Sequence, residues 1–166
     1  MANTRRTTAK RSGAYIVGEH RYSLWRIWDE EKPFILFIGI NPSDATEHED
    51  DRTIETCIRY ATRWGYGGLY FGNLYTIRSR NIDFVKRNLN RARGPECDSL
   101  LEGMIAICDK VICAWGRWKF ATARAREVLQ MIPYPYCLKK NADGSPHHPL
   151  YLNSDISPIR YEQVKD

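Results

Sequence analysis

The stretch Phe34-Ile35-Leu36-Phe37-Ile38, running into Gly39-Ile40-Asn41-Pro42-Ser43-Asp44, constrains the fold more than any other. Five apolar residues in succession, with no polar alternation, suit a strand covered on both faces. The polar turn starts where the carboxyl end of that strand falls, which is where open α/β sheets hold their ligands. Gly39 lets another group approach the backbone closely, and Pro42 stiffens the loop after Asn41. The same residues would also make an ordinary β-to-α connection, and this stretch alone leaves both readings standing.

The rest of the chain alternates strand and helix signals. Residues 14–17 and 21–28 are β-prone runs around Gly18-Glu19-His20 and predict a hairpin or edge strand. Residues 53–64 predict a helix, with Ile54, Cys57, Ile58 and Ala61 on one face, Asp51 as its N-cap and Glu55 in the first turn. Gly65, Gly67 and Gly68 end it and lead to a second strand, 69–74. Residues 81–89 predict one short helix, 97–108 a longer one, and 110–115 a third buried strand. A basic-faced helix over 121–131 precedes a proline-flanked edge strand over 134–138. This order predicts an α/β fold, a three-layer α/β/α arrangement with a mainly parallel central sheet.

At 166 residues the chain suits one domain, 14–166, preceded by a basic arm over 1–13 (Arg5, Arg6, Lys10, Arg11) that is expected to be disordered. The arm has no apolar core, so it does not read as a secretory signal. Hydrophobic content of 43% and charged content of 27% are those of a soluble globular protein. No apolar run approaches the roughly 20 residues of a membrane helix, so no membrane partner is expected. Cys57, Cys97, Cys108, Cys113 and Cys137 are odd in number and form no C-x-x-C pair. That pattern favours buried, reduced thiols in a cytoplasmic setting over disulfides or zinc. A net charge of +5 is compatible with a polyanionic partner.

Four turns are expected at the carboxyl ends of the sheet: Asn41-Pro42-Ser43, Asn73-Leu74-Tyr75, Trp115-Gly116 and His148-Pro149-Leu150. An asparagine amide offers a donor and an acceptor, which suits an amide-like or nucleobase edge. An imidazole can donate to an oxygen on which negative charge develops. Asn41 could orient a water, or cap its own turn. Asn73 could read a ligand or bond its neighbouring turn, and His148 could act or be satisfied by a carbonyl. Walker, G-x-G-x-x-G, G-x-S-x-G and H-E-x-x-H patterns are absent, and no cofactor is expected. The acidic run Asp44 to Asp51, with His48, could hold a divalent cation or lie solvated. Arg78, Arg80, Arg91 and Arg93 could track a phosphate backbone or form a solvated face.

These motifs resemble the uracil-DNA glycosylase superfamily. Gly39-Ile40-Asn41-Pro42 is similar to the first motif of its mismatch-specific branch, and Gly72-Asn73-Leu74-Tyr75-Thr76-Ile77 to the strand end that reads uracil in the main branch. Val111 to Gly116 resembles its apolar strand ending Trp-Gly, and His148-Pro149-Leu150-Tyr151-Leu152 its final motif. The resemblance implies a cleft built by Gly39, Ile40, Pro42, Ser43, Asn73, Tyr75 and Trp115. Asn41 would position water, Asn73 would read the base, His148 would stabilise a base oxygen and Leu152 would act as the wedge. A closer resemblance is to a domain family of bacteria and phages with no assigned activity. It shares Gly-x-Asn-Pro-Ser, Asp-x-Thr-Ile at residues 51–54, Trp-Gly, and Gly-x-Pro-x-His-Pro-Leu-Tyr at residues 144–151. The expectation is a glycosylase-like enzyme acting on a nucleobase, in nucleic acid or a nucleotide. The rival readings are a non-catalytic nucleic-acid or nucleotide-binding module and an enzyme of free nucleosides or nucleotides.

Overall fold

A computed structural model describes residues 3–162 of the chain. In chain order the strands and helices are β1 (Arg5–Arg6), β2 (Arg11–Val17), β3 (His20–Ile27), β4 (Phe34–Gly39), β5 (Glu49–Asp50), α1 (Arg52–Arg63) and β6 (Gly68–Asn73). There follow α2 (Ile82–Arg87), α3 (Leu89–Ala92), α4 (Cys97–Ile107), β7 (Lys110–Cys113), α5 (Thr122–Met131), β8 (Pro135–Cys137) and β9 (Ile159–Arg160). Seven strands form one sheet in the order β2-β3-β6-β4-β7-β8-β9.

The strand of five apolar residues is central, as its pattern predicts. Alternate side chains of β4 point to opposite faces. Ile35 and Phe37 join a core with Ile54, Cys57, Tyr60 and Ala61 of α1. Leu36 and Ile38 join a second core with Leu101 and Met104 of α4 and Val128 of α5. All four of these β4 side chains are fully buried, each stabilising the fold by about 1.5–3 kcal/mol relative to exposure. Helices therefore cover both faces of an α/β sheet.

The sheet is mixed rather than mainly parallel. β6, β4, β7 and β8 run parallel, but β2/β3, β3/β6 and β8/β9 are antiparallel, so three of the six pairings are of each kind. The β2–β3 hairpin extends one side of the parallel core, and β9 covers the other. β8 is therefore not the edge that its flanking prolines predict.

The amino-terminal residues are also placed differently from the expected loose arm. Arg5 and Arg6 pair with Asp50 and Glu49 in a two-stranded ladder, Thr4 Oγ1 donates to Glu49, and β2 already begins at Arg11. The basic arm meets the acidic run through backbone pairing, with the Thr7 N–H also donating to His48 O. Met1 and Ala2 of that arm lie outside the described residues. Among the described residues, no helix is long and apolar enough to cross a membrane.

Candidate functional site at the carboxyl ends of the parallel strands

The strand order reverses at β4: the chain leaves β4 through α1 to reach β6, then crosses back through α4 to β7. Crossovers of one hand in opposite directions put their helices on opposite faces, and the carboxyl end of the strand where this happens is where such sheets form a ligand crevice. Gly39 ends β4 there and is in register with Asn73 of β6; the Ala114 N–H bonds to Ile38 O beside it. Gly39 follows Phe37 on the α1 face, and a Cβ at residue 39 would come within 2.8 Å of Asn73 Oδ1. Glycine is what leaves room for that amide.

Asn73 is only 2% exposed, and neither its Oδ1 nor its Nδ2 has a hydrogen-bond partner. Burying an amide unpaired costs about 1–3 kcal/mol, which makes Asn73 a candidate recognition group.

Asn41 has a different position. Its Nδ2 donates to Pro42 O (3.0 Å), Ser79 O (2.9 Å) and Ile77 O (3.4 Å). The Ser79 N–H donates to Pro42 O and the Tyr75 N–H to Ile40 O, so the first two turns are zipped together. The turn-capping reading of Asn41 is what its nitrogen shows. Its Oδ1 accepts no hydrogen bond among the described residues.

His148 comes from the last motif and lies beyond the carboxyl end of β7. Gly116, at φ +81°, donates its N–H to Pro146 O, and a Cβ there would lie 3.9 Å from His148 Cβ. Tyr60 Oη of α1 donates to Pro149 O at 3.4 Å, so residues 146–149 lie between β7 and α1. The Leu150 N–H donates to His148 Nδ1 at 3.2 Å. An imidazole that accepts at Nδ1 carries its proton at Nε2 when neutral. Burial, then the neighbouring His147, lowers the His148 pKa below its ordinary value, against the pull of Asp51. The ring is thus a neutral Nε2–H donor at pH 7.

Asp51 ties the rim together. It caps α1, its Oδ1 accepting from the Ile54 N–H at 2.9 Å, as the helix pattern predicts. Its charge is felt by both His148 and Arg21.

Tyr75 and Trp115 do not line this crevice. Both are buried in the opposite core, where Tyr75 stacks on Phe120 at 6.1 Å and Trp115 meets Tyr161 edge-on. Ile40 packs against that same core, Pro42 is buried in the zipped turn and Ser43 is half-buried. Leu152 packs on the α1-side core and does not project as a wedge; the exposed side chain is Tyr151, 84% accessible at φ 65°, with Arg52 over its ring.

Of the four arginines proposed for a phosphate backbone, three hold carboxylates. Arg80 pairs with Asp44, Arg91 with Glu19, and Arg93 with Glu127 and Asp98. Arg78 is the exception: its Nε is buried without a partner. The residue that sequence reasoning missed is Arg21, which faces the same rim from β3. Nothing in a β-prone run marks it as buried. The cysteines are free thiols, buried except for half-buried Cys108, and burial pushes Cys57 and Cys113 well above the ordinary thiol pKa. Among the described residues, no three His, Cys, Asp or Glu side chains converge as a metal site, and His48 lies beside Glu47 and Ser12. Two surface concavities of about 650 and 620 Å³ lie elsewhere, and neither is lined by Asn73, Arg78 or His148.

Fold and site together define a mixed-sheet α/β domain with a buried, unpaired asparagine at the carboxyl end of β6. The chain belongs to DUF1643, a family of proteins of unknown function, whose model matches residues 21–150. No curated protein and no solved structure matches it.

Proposed function

We propose that the crevice binds a nucleobase and that the protein is a glycosylase-like enzyme acting at or near the N-glycosidic bond. The observation that carries this reading is the Asn73 amide, buried with both ends unpaired against Gly39. A pyrimidine edge presents an acceptor beside a donor, the pattern that one asparagine side chain complements. In this reading Asn73 grips the base edge and His148 Nε2–H donates to the base oxygen that gains negative charge as the glycosidic bond breaks. Asn41 Oδ1 holds water while its Nδ2 keeps the turn rigid. The parallel strand order β6-β4-β7-β8, with helices on both faces, supports the uracil-DNA-glycosylase-like form of the fold.

A second reading has its own support. Because Arg80, Arg91 and Arg93 are already paired with carboxylates, a free nucleoside or nucleotide fits better than a long phosphate backbone. Base-release assays on single and double strands carrying uracil, mismatched or modified bases, run beside free nucleosides and nucleotides, separate the two. Turnover that disappears in both Asn73→Ala and His148→Ala supports the enzyme. Release unchanged in both variants contradicts it, and binding without release leaves a recognition module.

A further inference from the structure

Arg21 and Arg78 approach one another at the rim of the crevice. The Arg21 N–H donates to Thr76 O, His20 bridges Ile77, and the Arg78 N–H donates to Glu19 O. The two arginines therefore start from diagonal positions on adjoining antiparallel segments, where side chains come within reach of each other. Arg21 is 2% exposed; its Nη1 donates to Ala45 O at 3.0 Å, and its Nε has no partner. Arg78 Nε is likewise buried and orphaned, and no carboxylate pairs with it among the described residues. Asn41 bonds the carbonyls on both sides of Arg78, Ile77 O and Ser79 O, and so fixes where that guanidinium starts.

Charge points the same way. Arg21 feels Arg78 and Arg26 as like charges and Asp51 as the opposing one, and burial pulls its pKa down to about 10. Arg26 is neutralised by Asp50 at 2.6 Å. One carboxylate, Asp51, is left against two guanidiniums, and its Oδ1 is engaged in capping α1. Two neighbouring guanidiniums, each with a buried Nε left unpaired, form an arrangement that takes an oxyanion.

We infer that Arg21 and Arg78 form a phosphate subsite beside the base crevice, so that the ligand is a phosphorylated nucleoside. The phosphate sits on the two orphaned guanidinium edges and completes the hydrogen bonding that the protein leaves open. The identity of the phosphate's base rests on the nucleobase reading of Asn73; the anion subsite does not.

The test is titration calorimetry in phosphate-free and sulfate-free buffer with inorganic phosphate, uridine and uridine 5′-monophosphate, on the full chain and on Arg78→Gln. Charge-assisted bonds predict that the monophosphate binds about tenfold or more tighter than uridine. That advantage is lost in Arg78→Gln, while uridine binding is unchanged. Phosphate that binds wild type but not Arg78→Gln, with no gain from uridine, upholds the anion subsite and removes the base reading. Uridine binding that phosphate does not improve overturns the subsite and leaves the base reading in place. Monophosphate binding that is equal in wild type and Arg78→Gln also overturns the subsite, as does no binding of any probe.

Discussion

Arg26 and Arg21 lie on the same strand, both buried, and their surroundings differ in kind. Arg26 donates to Asp50 Oδ1, Gly13 O, Trp25 O, Thr46 O and Glu49 O, and none of its nitrogens is left unpaired. Arg124, on the far side of the sheet, is satisfied in the same way by Leu74 O, Glu127, Cys97 Sγ and Asp98. Among the described residues Arg21 makes one side-chain hydrogen bond and keeps an orphaned Nε, as its neighbour Arg78 does. Saturated charges clamp the acidic run and α5 onto the sheet. The unsaturated ones, Arg21 and Arg78, lie on adjoining antiparallel segments. Burial alone does not separate the two kinds of charge; hydrogen-bond saturation does.

Three experiments press on that difference. The largest effect is expected at Asp50→Ala, which leaves Arg26 buried and uncompensated and costs about 3–5 kcal/mol of folding stability, read by denaturant titration. Asn73→Leu moves the other way. Replacing an unpaired buried amide with an apolar side chain of similar size raises stability by about 1–3 kcal/mol while abolishing base binding. A loss of stability there would mean that Asn73 belongs with Arg26. Asp51→Ala removes the α1 cap and costs about 1 kcal/mol, measured as a shift in the thermal midpoint.

The smallest effect is in pH dependence. His148 has its pKa lowered in the fold, chiefly by burial, so on acidification the unfolded chain takes up this proton first. The stability that its neutral ring contributes is complete above the ordinary value of 6.5 and is lost as pH falls from there towards the folded value. His148→Gln should flatten that slope in thermal scans across the same range. An unchanged slope would place the titrating group elsewhere.

How much of this could be read from the chain depends on whether the signal is local. The fully apolar run of β4, the capped periodicity of α1 and the Asn73 turn are local patterns, and each predicts its element. The single helix expected over 81–89 splits at Asn88, whose Nδ2 takes the Phe84 carbonyl and ends α2 before α3 begins. β8 looks like an edge because the two-residue β9 that covers it is too short to show a pattern. Arg21 was hidden by a β-bulge. Tyr15 opposes Ser23 but Ile16 opposes Arg21, so Tyr22 is the extra residue. It goes to the α4-side core although Leu24, two positions on, faces α1, and Arg21 turns to the side of Ala45. Strict alternation cannot show that switch. Tyr75 and Trp115 lie two residues past the ends of β6 and β7, where strand alternation no longer sets the face.

An Asn73 amide open for recognition has a distinct signature in side-chain amide NMR. Uracil titrated into the protein should shift the Asn73 Nδ2 proton and nitrogen resonances saturably. Benzene, which has no hydrogen-bonding edge, should leave them in place. Asn73 resonances that stay unmoved up to the solubility limit of uracil would contradict the account.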